Sequence, residues 1–75
     1  MVTVIREAGL RFVIYTDDHE PAHVHAYGDG EARIDIIQMT VMSSRGMKKP
    51  DLAAALAIVQ ANRALFLKKW EEIHG

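Results

Sequence analysis

Hydrophobic and polar positions follow two different periods along this chain. Up to about residue 37 they alternate, and from Pro50 onward apolar residues recur every three to four positions. These are the periods of a pleated strand and of an α-helix. Val2-Thr3-Val4-Ile5 is short and β-branched and predicts a first strand. Residues 10–16, rich in Phe, Val, Ile and Tyr, predict a second, and Arg6-Glu7-Ala8-Gly9 between them is short enough for a hairpin. Asp17-Asp18-His19-Glu20-Pro21 predicts a polar loop, since Pro21 disfavours a helix before it. Residues 22–27 again read as a strand. Gly28-Asp29-Gly30 signals a turn. Residues 31–37 then set Glu31, Arg33 and Asp35 against Ala32, Ile34 and Ile36.

Residues 38–49 carry the weakest signal. A short helical turn at 39–42 fits them. A helix-turn-helix over 38–57, with Gly46 in the turn, is a second option, disfavoured because its second helix is long and core-facing. Pro50 suits a first helical turn and Asp51 suits the positive end of the helix dipole. Leu52, Leu56, Val59, Phe66, Trp70 and Ile73 keep helical spacing, with Arg63 in the same stripe, and Ala53, Ala54, Ala55 and Ala57 add helix propensity. The pattern predicts an α+β domain over residues 1–75: a small antiparallel sheet of three to four strands packed on one long C-terminal helix.

Alternation gives that sheet two unlike faces. Phe12, Ile14, Val24, Ala26, Ile34 and Ile36 form an apolar face for Leu52, Leu56, Val59 and Phe66 to cover. Arg11, Tyr15, His23, His25, Tyr27, Arg33 and Asp35 form the other.

Composition narrows the picture. A 75-residue chain is one domain and buries roughly 60% of its unfolded surface, so a well-packed or shared core matters. The apolar share of 49% and charged share of 25% are those of a globular protein. A net charge of −1 supplies no bulk attraction to nucleic acid or anionic membrane. There is no cysteine, which leaves His, Asp and Glu as metal ligands. No apolar run spans a bilayer, and the segment from Met1 to Arg6 lacks the basic and apolar regions of a signal peptide. A cytoplasmic protein of bacterial type, without a membrane role, is the default expectation.

Candidate chemistry is concentrated in one segment. Three of the four histidines, His19, His23 and His25, fall within seven residues. On a strand His23 and His25 point the same way, about 6.5–7 Å apart. One reading is a site for zinc or a similar divalent ion on His23 and His25, completed by His19, Asp18 or Asp35. A second makes His23 or His25 a general acid or base, with Arg33 or Arg11 binding a phosphate, as a metal-independent ribonuclease requires. A third is a recognition surface for a partner protein or a second copy of the chain. The bland alternative is a solvated sheet face whose histidines only hydrogen-bond their neighbours. Arg45, Lys48 and Lys49 form a basic cluster that could contact phosphate but reads first as a solvated charge run. Trp70 reads as core or interface packing. Asn62 and Arg63 could reach the rim of a site but read first as residues that cap or snorkel beside the stripe.

The ordered set Asp18-His19-x-Pro21-x-His23-Val24-His25, the strand after it, Pro50-Asp51-Leu52, Asn62 and Trp70 resembles a small bacterial family, domain of unknown function 4160. Ala22 stands where that family often has proline, Ala26 where it often has valine, and Lys49 where a capping serine is common. The resemblance implies no firm biochemistry. Members of the family are often encoded beside another small protein in the manner of toxin–antitoxin pairs. By analogy this implies a small protein partner encoded nearby and an RNA-directed activity.

Overall fold

A computed structural model describes residues 2–75; Met1, the first residue of the expected domain and of the segment expected not to be a signal peptide, lies outside them. The chain forms strands β1 (Val2–Glu7), β2 (Leu10–Ile14), β3 (His23–Tyr27), β4 (Glu31–Asp35) and β5 (Thr40–Arg45), then helices α1 (Lys49–Ala61) and α2 (Arg63–His74). The strands pair antiparallel in chain order, β1-β2-β3-β4-β5. The α+β class expected from the sequence holds, with two corrections: the sheet has five strands rather than three to four, and two helices stand where one long one was expected.

The fifth strand lies where the sequence signal was weakest. Residues 39–42 form no helical turn and 38–57 no helix-turn-helix, because Thr40–Arg45 pairs with β4. Asp35 makes this possible. Its Oδ1 accepts the Ile37 and Gln38 amides at 2.7 and 2.8 Å, closing a tight turn that reverses the chain into β5. β5 is exposed along its whole length, so it lacks the buried alternation by which a strand is recognised.

The helix breaks at Asn62. The Asn62 side-chain amide donates to the Ile58 carbonyl at 2.8 Å, alongside its own backbone N–H at 3.1 Å. Local bonding of this kind competes with the helical ladder. Beyond the break Arg63 donates from Nε to the Ile36 carbonyl at 2.9 Å, pinning the start of α2 to the end of β4.

The apolar face is as expected: Phe12, Ile14, Val24, Ala26, Ile34 and Ile36 are fully buried. The covering stripe is turned slightly from the expected one. Ala55, Ile58, Val59, Phe66 and Trp70 are buried in it, whereas Leu52 and Leu56 pack only at its margin. Phe12 and Phe66 meet at 5.7 Å between ring centroids. Gly30, in the β3–β4 turn, is required by proximity, since a Cβ there would overlap the backbone of Arg45, Gly46 and Met47.

Candidate functional site

The histidine face is built by β3 and by the loop that leads into it. His23 and His25 alternate with Val24, so both stand on the sheet face opposite to it, with His23 buried and His25 partly exposed. Asp18 reaches them through a turn over residues 15–18. The Asp18 N–H donates to the Tyr15 carbonyl at 3.2 Å, and the Tyr15 N–H donates to Asp18 Oδ2 at 3.0 Å. This reciprocal pair folds the Asp18 carboxylate back over the strand.

Asp18, His23 and His25 each offer a ligand atom, and these lie within 4.8 Å of one another. His25 Nε2 is 3.1 and 3.2 Å from the two carboxylate oxygens, and His23 Nε2 is 3.5 Å from Oδ1. The side chains are largely sheltered, with relative exposures of 13% for Asp18, 6% for His23 and 14% for His25. Burial pushes the Asp18 carboxyl up, but the Tyr15 amide, the His25 hydrogen bond and the charges of both imidazoles outweigh it. The net result lies below the ordinary value of 3.8.

His23 is oriented from behind. Its Nδ1–H donates to the Pro21 carbonyl at 2.8 Å. With that nitrogen committed, a neutral ring turns a lone pair from Nε2 toward the Asp18 carboxylate. Two acceptors at 3.5 Å repel unless a proton or a cation lies between them. His25 is fixed by packing: Tyr15 meets its ring edge-on at 4.7 Å and Tyr27 stacks at 6.3 Å. The Tyr15 and Tyr27 hydroxyls share a hydrogen bond of 2.5 Å. Burial first, and then that bond, push the Tyr27 phenol up to about 12, so it stays protonated at neutral pH.

The other residues picked out from the sequence lie elsewhere. His19 is exposed and outside the triad, on the rim of a depression of about 230 Å³ that Asp18, His23 and Arg33 also line. Asp35 serves the β4–β5 turn. Arg33 is exposed, pairs across the strands with His25, and donates from Nε to Ser43 Oγ at 2.9 Å.

Trp70, read from the sequence as packing, and His74, not picked out there, close the site at the end of α2. Trp70 packs against His23 at 5.4 Å, and its indole N–H reaches Glu20 Oε1 at 3.4 Å. His74 stacks on Trp70 at 3.9 Å, and its two ring nitrogens lie 3.0 and 3.1 Å from the Trp70 and Tyr15 carbonyls. The spacing of Trp70 and His74, four apart on a helix, was the available signal. Nothing in the sequence placed them against β3. Among the described residues no helix is long and apolar enough to cross a membrane.

The chain matches the family described as Domain of unknown function (DUF4160) over residues 9–71, and it belongs to that family. No curated protein and no solved structure matches it.

Proposed function

We propose that this member of the DUF4160 family is a divalent-metal-binding module, with Asp18, His23 and His25 as protein ligands. The observation that carries the reading is the spacing of the donors. Tetrahedral zinc with bonds of about 2.0–2.1 Å sets neighbouring ligands about 3.3 Å apart. Measured to one oxygen, Asp18 Oδ1, the His25 and His23 nitrogens lie at 3.2 and 3.5 Å, and all three donors lie within 4.8 Å of one another. The bond from His23 Nδ1 to a backbone carbonyl is the usual means of presenting Nε2 to a metal. A cation would also relieve the repulsion between the His23 lone pair and the Asp18 carboxylate. The fourth position would be taken by water or by His19 from the rim of the depression. Calorimetry with zinc tests this. Saturable binding at one ion per chain is expected, lost in Asp18→Asn and His25→Ala and weakened less by His19→Ala. Absence of binding by the wild type at micromolar concentrations would overturn it.

A second reading is favoured by the pairing of Arg33 with His25 across β3 and β4. In it the Asp18–His25 pair works without metal as an acid–base dyad, and Arg33 holds a phosphodiester. Such a domain would cleave or bind RNA within a toxin–antitoxin-like module together with a protein partner. Ribonuclease activity that persists in a chelator and disappears in His25→Ala would favour this reading over the first.

A further inference from the structure

Three arginines stand on or beside the histidine face, and among the described residues none of them forms an ion pair. Among the described residues Asp18 contacts the His23 and His25 imidazoles, and Lys69 pairs with Glu72. Arg11, Arg33 and Arg45 take part in none of these contacts.

Strand register gathers these arginines. One row across the sheet runs Arg11, Tyr27, Glu31, Arg45, and the next runs His25, Arg33, Ser43. The Arg11 guanidinium lies 5.3 Å from the Tyr27 ring centroid, and its buried Nε has no acceptor. Between the rows is a groove of about 230 Å³, lined by His25, Tyr27, Arg33, Ser43 and Arg45 and by the carboxylate of Glu31.

The donors in this groove are uncommitted. Arg33 uses only Nε, on Ser43, and keeps both terminal nitrogens of its fork. By accepting that bond, Ser43 keeps its own O–H to donate. Arg45 makes no side-chain hydrogen bond among the described residues and extends from an exposed edge strand. Paired guanidinium forks beside a hydroxyl match the oxygens of a phosphate group. A net charge of −1 gives the chain no general affinity for anions, so the chemistry is local.

We infer that this groove binds the phosphate of a nucleotide or of a nucleic-acid strand, held by Arg33 and Arg45 and oriented by Ser43. Glu31, the cross-strand partner of Arg45, bounds the groove on the side away from Arg33 and Ser43. His25 is shared between groove and triad, so the bound phosphate lies beside the centre proposed above. That adjacency rests on the metal reading, and the groove deepens the second reading, in which Arg33 holds a phosphodiester; zinc binding and ribonuclease activity test those two readings separately.

The test is amide-resolved NMR titration of the full chain with inorganic phosphate, AMP and a short oligouridylate, first in chelator and then with zinc. Saturable shifts at Ser43, Ser44 and Arg45 are expected. Arg33→Gln and Arg45→Gln should each weaken binding about tenfold, the loss of one charge-assisted contact. Lys68→Gln, on the exposed side of α2, should leave it unchanged. Tighter binding of oligouridylate than of AMP would identify a strand as the source of the phosphate, and equal binding a mononucleotide. No saturable shift on β5 with any probe would overturn the inference, as would equal weakening by Lys68→Gln. Zinc binding without a phosphate response would overturn it and leave the metal reading standing. A phosphate response in a protein that binds no zinc would do the reverse.

Discussion

His25 donates its Nε2–H to the Asp18 carboxylate, at 3.1 and 3.2 Å from its two oxygens, although the two residues lie on different elements seven positions apart. The strand holds one partner and the 15–18 turn holds the other, so the contact reports on both. Replacing Asp18 by Ala should leave the Tyr15 N–H and the His25 ring without their acceptor. Each lost bond to a charged group is worth about 1.5–3 kcal/mol, so thermal unfolding should show a clear drop in midpoint. An unchanged midpoint would mean that the turn closes without the carboxylate.

The lowered Asp18 pKa carries a sign. The folded carboxyl takes up a proton less readily than the unfolded one, so its contribution to stability is complete above the ordinary value of 3.8 and is lost as pH falls through the lower folded value. Chemical denaturation of wild type and Asp18→Asn between about pH 5 and pH 2 measures this directly. The stability gap between the two proteins should narrow toward acid. A gap that stays constant or widens contradicts the assignment.

Gly30 touches backbone rather than side chains, so its neighbours have little room to move. Gly30→Ala should therefore destabilise by about 2 kcal/mol or more, in the range of overpacking. For a domain of this size that is a fall of about 8–16 °C in Tm. A calorimetric scan within a few degrees of wild type would show that the segment at 45–47 shifts away at little cost.

The β1–β2 hairpin turns on Ala8 and Gly9, with φ of 54° and 75°. Two positive φ values favour Asn-Gly over Ala-Gly, and the left-handed region costs a residue such as alanine about 1–2 kcal/mol. Ala8→Asn should raise Tm by several degrees, and Ala8→Val should lower it. Melting curves of the two variants check the pair, and a change in the same direction for both would reject the turn assignment.

Helix α1 starts after Lys48, whose extended backbone suits an N-cap but whose side chain makes no capping bond. Lys48→Ser would supply an acceptor for the free N–H groups of the first turn, three residues before Asp51. A gain of about 1 kcal/mol is expected, read as a higher denaturant midpoint with an unchanged slope. No gain would place the true cap elsewhere.

The sequence by itself determined the strands whose alternation is buried on one side, the turn signals between them, and the presence of His23 and His25 on one face. Each of these rests on local geometry: a pleat of period two and a helix of period 3.6. It did not determine β5, because an edge strand exposed on both faces carries no pattern. It did not determine the break at Asn62, because the apolar spacing continues through a residue whose backbone leaves the helical region, with φ of −116°, while its side chain bonds the Ile58 carbonyl. Only the tertiary structure decided that Asp18, rather than His19 or Asp35, meets the two imidazoles. That choice depends on how a loop folds back on its own backbone and on which turn captures each carboxylate. Likewise, only strand register could set Arg45 beside Arg33 and His25, because the pairing of distant strands depends on packing that no local window contains.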